Sequence, residues 1–130
     1  MNNSLRFDIT TSQDLTGAAL SYTTTITRRF KLEQIIFHAS VAITETITIT
    51  LDSKNGANYD TVLRKKTLSS EQDYVFIPEG QNNFYAGDEL KIQCTNANVT
   101  GTIYVTIKTS EILLWGRYGK IKEGNWRVRN

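Results

Sequence analysis

The residues of this chain that could do chemistry are few and far apart. His38 is its one histidine and Cys94 its one cysteine. A catalytic triad or a zinc site needs several His, Cys or carboxylate groups converging on one point, with ligands at characteristic spacings. His38 sits in the apolar run IIFHAS (residues 35–40) and reads as a satisfied structural histidine. Cys94 shares the parity of Leu90 and Ile92, so it reads as a small core residue rather than a nucleophile. Asp52, Asn55, Asp60, Asp88 and Glu89 fall in turn-like stretches, and the spacing from Asp52 lacks the ligands of a calcium-binding EF-hand. They read as turn chemistry. No glycine-rich loop suited to a phosphate is present. The expectation is a protein without catalytic, cofactor-binding or metal-binding residues, and not an enzyme.

A different chemistry, that of docking, gathers at the C-terminus. Residues 111–130, EILLWGRYGKIKEGNWRVRN, hold both tryptophans of the chain. Trp115, Tyr118 and Trp126 are spaced among Arg117, Lys120, Lys122, Arg127 and Arg129. Aromatic residues and arginine dominate interface hot spots because they bury large areas with few torsions to freeze. The charge is split as well: residues 1–114 carry ten Lys/Arg against twelve Asp/Glu, whereas residues 115–130 carry five against one. A basic tail on a mildly acidic body suits an acidic surface. An arm reaching a neighbouring subunit is the favoured reading, a cover folded over the chain's own body the second, and stacking on single-stranded nucleic acid the third.

The elements that must carry this tail read as strands. In residues 43–51 the apolar Ile43, Ile47, Ile49 and Leu51 alternate with Thr44, Thr46, Thr48 and Thr50. That is period two, with β-branched residues that suit a pleated surface. Asp52-Ser53-Lys54-Asn55-Gly56 then turns the chain, and residues 59–68 return it, so 43–68 reads as a hairpin. Further strands are expected at 5–9, 18–29, 30–41, 74–77, 90–95 and 102–108, with residues 10–17 as a loop. The parity change between Leu32 and Ile35 suggests a bulge, and Pro78, the one proline, should stop the strand at Ile77. Arg64-Lys65-Lys66 reads as a solvated strand end or a guarded sheet edge. Seven or eight short strands with short connections predict an all-β antiparallel sandwich of jelly-roll type. Its expected limits are residues 1–110, with 111–130 as an extension. Nothing in the chain approaches the roughly 18 consecutive apolar residues of a membrane helix, and no secretory leader is visible at MNNSLRFD.

LDSKNGANYDTVL (51–63), FIPEG (76–80) and AGDELKIQCTNAN (86–98) resemble small β-sandwich proteins from the structural genes of tailed bacteriophages. The likeness covers residues 30–107 and rests on turns and strands. It implies a non-enzymatic virion component made in the host cytoplasm, such as a head-decoration, head-fibre or tail/neck protein. The partners it implies are other virion proteins and further copies of the chain. The twenty-residue tail departs from the pattern, because such chains tend to end soon after the last strand. An alternative of another class is a carbohydrate-binding module that presents Tyr59, Tyr74, Phe84 and Tyr85 to a glycan.

Overall fold

The computed structural model describes residues 4–26, 29–79 and 83–112. Among these lie nine strands and no α-helix: β1 (Ser4–Asp14), β2 (Leu20–Thr25), β3 (Phe30–Ile43), β4 (Thr46–Asp52), β5 (Thr61–Thr67), β6 (Glu71–Phe76), β7 (Asn83–Phe84), β8 (Glu89–Cys94) and β9 (Thr102–Ile112). One sheet has the order β1-β9-β3-β6, with β7 pairing β3, and the other has the order β2-β8-β4-β5. Four of the chain's antiparallel pairs, β1 with β9, β2 with β8, β3 with β6 and β4 with β5, nest one inside the next along the chain. It is one long hairpin rolled into two layers, a jelly roll, with β4–β5 at its tip.

The period-two pattern builds the core. β3 turns Leu32, Ile35, Phe37 and Ala39 inward, and β9 turns Ile103, Val105 and Ile107 inward. They meet Ile47 and Ile49 of β4 and Leu90, Ile92 and Cys94 of β8, all at most 1% exposed. A fully buried side chain of this kind contributes ~1.5–3 kcal/mol relative to leaving it in water. Glu33 is the extra residue of a bulge, since the β3–β9 register shifts between Leu32 and Gln34, where the parity change was expected. Its carboxylate accepts a hydrogen bond from the Ser110 hydroxyl at 2.6 Å.

Several boundaries move from their expected places. β1 runs to Asp14 and takes in the polar stretch expected as a loop, because the ladder to β9 continues through Asp14↔Thr102. Ile43 ends β3 rather than starting β4, and the chain crosses between sheets at Thr44 and Glu45. β6 stops at Phe76, just before Ile77 and Pro78, and the same edge of β3 is taken up again by β7, where Phe84 pairs with Phe30. β7 makes the ninth strand. β9 pairs through Glu111 and Ile112, two residues into the expected extension.

Candidate docking surface

The tail residues singled out from the sequence, Trp115, Arg117, Tyr118, Lys120, Lys122, Trp126, Arg127 and Arg129, lie outside the described residues. Their root does not. Ile112 pairs with Ser4, and Glu111 pairs with Leu5 on one side and Phe30 on the other. Ile112 therefore ends β9 where β1 and β3 both begin.

Two flanks of the sandwich, where edge strands of the two sheets face each other, differ in their chemistry. On one flank β5 faces β6. Arg64 and Lys66 of β5 are paired with the inward residues Ile49 and Ile47, so they too turn inward, over Tyr74. Arg64 Nε donates to Tyr74 Oη at 3.0 Å, and Lys66 Nζ lies 5.7 Å from the Tyr74 ring centroid. Inward-pointing charges of this kind keep an edge from pairing with another chain. The charge run thus guards an edge, as expected.

The opposite flank, where β1 faces β2, mixes aromatic and charged groups. Phe7 packs edge-on against Phe30, with centroids 6.2 Å apart, yet stays 39% exposed. Phe7 and Ile9 of β1, Thr24 and Thr25 of β2, and Arg29, Phe30 and Glu111 line a cavity of about 290 Å³. It opens beside the C-terminal end of β9, through Glu111.

At that same end of the roll, loops are joined by polar contacts. Asp88, 6% exposed, accepts from the Lys54 amide at 3.0 Å through one oxygen and from the Tyr85 amide at 3.0 Å through the other. The Asp60 carboxylate accepts from the Ser53 amide at 2.8 Å, and Asp52 pairs with Lys91 at 3.0 Å. These carboxylates do turn chemistry, and among the described residues no three His, Cys, Asp or Glu side chains come together as a metal-binding group. Of the aromatic residues considered for a glycan, Phe84 is buried and stacked on Phe30 at 5.5 Å. Tyr74 is half-buried and stacked on Phe37 at 5.9 Å. Tyr59 and Tyr85 remain exposed, with Lys54 Nζ 5.8 Å from the Tyr85 ring centroid.

The two lone reactive groups are placed differently. Cys94 is buried, and burial followed by the nearby Glu45 charge pushes its thiol up to about 12, which leaves it protonated and inert. His38 has a side-chain partner, as a satisfied structural histidine should, though on the outer face of its sheet. Phe37 and Ala39 take the inward positions of β3, so His38 turns outward, with Nδ1 2.7 Å from Asp73 Oδ1 and its ring stacked on Tyr104.

The feature that sequence reasoning missed is Glu45, at the other end of the roll. It is 3% exposed, and its carboxylate accepts from the Thr95 hydroxyl at 2.7 Å, the Ala97 amide at 2.9 Å and the Asn98 amide at 2.8 Å. Burial pushes the carboxyl up, but the bonds from Thr95, Asn98 and Ala97 outweigh it and leave the group below the usual glutamate range. A charged residue at the inward parity of 43, 47 and 49 was the available signal.

No family model and no curated protein sequence matches the chain. Among solved structures, a disulfide-linked pilus protein of Bacillus endospore appendages is 15% identical over 87% of this chain and 91% of its own, with a TM-score of 0.49. The Drosophila NLP-core is 10% identical over 79% of this chain and 97% of its own, at 0.43. A protein of infectious bursal disease virus, Gx strain, is 14% identical over 90% of this chain and 34% of its own, at 0.44.

Proposed function

We propose that the protein is a non-enzymatic structural component of a tailed-bacteriophage virion, a head-decoration, head-fibre or tail/neck protein that docks on other virion proteins through residues 113–130. One observation supports the docking role: the aromatic and basic tail follows β9, a strand hydrogen-bonded on both sides, and Ile112 ends that strand beside a flank where Phe7, Ile9 and Phe30 lie with the charged Arg29 and Glu111. The virion setting is supported by the turn and strand signatures of residues 51–63, 76–80 and 86–98. Multiple copies, as subunits of one particle, follow from such a role.

Deletion of residues 113–130 is expected to leave a folded domain, because every strand named above ends by Ile112. The truncated protein should keep its far-ultraviolet circular dichroism and lose its place in particles or oligomers. Trp126→Ala alone should weaken docking by at least about 2 kcal/mol, roughly thirty-fold in Kd. Incorporation of the truncated protein at the full-length level would refute the docking role.

A second reading, glycan binding for host recognition, is favoured by the exposed Tyr59 and Tyr85, on loops that Asp88 and Lys54 hold together. In that case glycan-array binding is seen and is lost in Tyr85→Ala, while the tail deletion leaves it intact.

A further inference from the structure

We infer that the free edge of β1 pairs with β1 of a second copy, antiparallel about a two-fold axis at Phe7, so that the β1-β9-β3-β6 sheet runs on through both copies. The inference goes beyond the docking role, which concerns the tail and other virion proteins, and does not rest on it.

The backbone of β1 supplies the template. β1 pairs with β9 at every position from Ser4 to Asp14, with no shift of register. Among the described residues its other edge is unpaired, because β1 ends the order of its sheet. An edge that stays regular over eleven residues offers a row of unused N–H and C=O groups to a further strand. The remaining edges are interrupted or short. β5 shifts register between Ile49 and Thr50 and carries the inward Arg64 and Lys66. β2 and β6 have six residues each, and the pairing of β6 with β3 is irregular between His38 and Ile43.

The side chains choose the occupant. Residues opposite each other in an antiparallel ladder share a face, and a two-fold axis repeats every pair. Centred on Phe7, the ladder sets Phe7 against Phe7 and, on the other face, Arg6 against Asp8 twice. Aromatic pairs and opposite charges directly across a ladder are stabilising, whereas like charges there are destabilising. Phe7, left 39% exposed by its own chain, is then covered by its twin. Asp8, already 3.2 Å from the Lys108 ammonium, comes to lie between two cations. Centring on residue 6 or 8 instead would oppose Arg6 to Arg6 or Asp8 to Asp8. Centring on Thr10 would give Arg6 to Asp14, whose carboxylate already accepts from the Thr16 amide and hydroxyl, and would set Phe7 against Gln13. Arg29 and Glu111, on the same flank, add one charge of each sign, so two such flanks carry no net repulsion from these groups. β2 has no charged residue with which to draw the β1 of another copy.

The test is analytical ultracentrifugation of the full-length protein, which should show a monomer–dimer equilibrium. Arg6→Asp and Asp8→Arg should each weaken the dimer at least about tenfold, since the two-fold makes every substitution count twice, with circular dichroism unchanged. An equimolar mixture of the two variants should dimerise like the parent, because each supplies the charge the other lacks. In the parent, hydrogen exchange of amides within residues 4–10 should slow as concentration rises, a readout that needs no substitution. A parent that is monomeric at every concentration, single variants that dimerise like the parent, or a mixture that does not pair would overturn the inference. So would β1 amides equally protected at every dilution, which would assign the edge to a segment of the same chain. The pair is the unit that the tail joins to its neighbours, and the assemblies lost with residues 113–130 are those built from such pairs. Trp126→Ala should therefore leave the dimer intact, so that the docking role and the β1 pairing can fail separately.

Discussion

Replacing Glu45 by alanine lowers the stability of the domain by about 3 kcal/mol. A hydrogen bond to a charged group contributes ~1.5–3 kcal/mol, and removing one partner leaves the others desolvated. Glu45 is the shared acceptor for the Thr95 hydroxyl and the amides of Ala97 and Asn98. Water reaches the exposed loop after the substitution, which keeps the cost below the simple sum. The same corner is tied by backbone bonds from Leu68 to Glu45 and from Thr95 to Thr46, so the β3–β4, β5–β6 and β8–β9 connections loosen together.

The pH dependence has a definite sign. The folded carboxyl lies below its ordinary value of 4.5, so the unfolded chain binds the proton first as pH falls. The contribution of Glu45 is complete above that value and is lost as pH drops through the folded pKa. Urea titration of the parent and Glu45→Ala should give a gap of about 3 kcal/mol at pH 7 that narrows below about pH 4. A gap that stays constant down to pH 3 would show that the carboxylate charge is not what holds the loop.

Phe37→Ala should cost more, about 4 kcal/mol, within the range of ~3–5 kcal/mol found for buried phenylalanine. Phe37 is 1% exposed and pairs with Val105 of β9 on one side and Tyr74 of β6 on the other. Its neighbours are held in register by two ladders, so the cavity cannot collapse around the missing ring. Tyr74 also loses the ring it stacks on, and with it the platform for Arg64 and Lys66 on the guarded flank. Phe37→Leu, which keeps most of the volume, should cost less than about 1.5 kcal/mol. Both are read as a lowered urea midpoint with an unchanged slope. A loss under about 1 kcal/mol for Phe37→Ala would contradict the packing described for the centre of β3.

How far the sequence discloses the fold depends on whether side chains or ladders define an element. The β4–β5 hairpin was legible because Ile47, Ile49 and the threonines alternate cleanly and Asn55-Gly56 turns the chain. The bulge at Glu33 was legible as a parity change. The far half of β1 was not, since Thr10, Thr11, Ser12, Gln13 and Asp14 carry no apolar signal and owe their strand to pairing with β9. Ile43 misled because the apolar parity of 43, 47, 49 and 51 runs unbroken through a crossing between sheets.

The candidate site divides in the same way. The aromatic and basic types of the tail are plain in its composition. The cavity beside its root is not, because Phe7 and Thr24 lie in strands whose proximity follows only from the sheet order. Among the glycan candidates, Phe84 and Tyr85 are adjacent in sequence, and pairing of β7 with β3 sends one inward and leaves the other outside.

The central position of β9 has a mechanical meaning for any tether attached at Ile112. Ser4 and Ile112 are partners, so a pull between the two ends of the domain opens the β1–β9 ladder like a zip, one rung at a time. A pull on Ile112 against a body held at the Glu45 end is a different load. It runs along β9 and must slide that strand past β1 and β3 together, stressing the rungs of both ladders at once. A particle that holds the domain in the second way would be gripping it along its stiff axis.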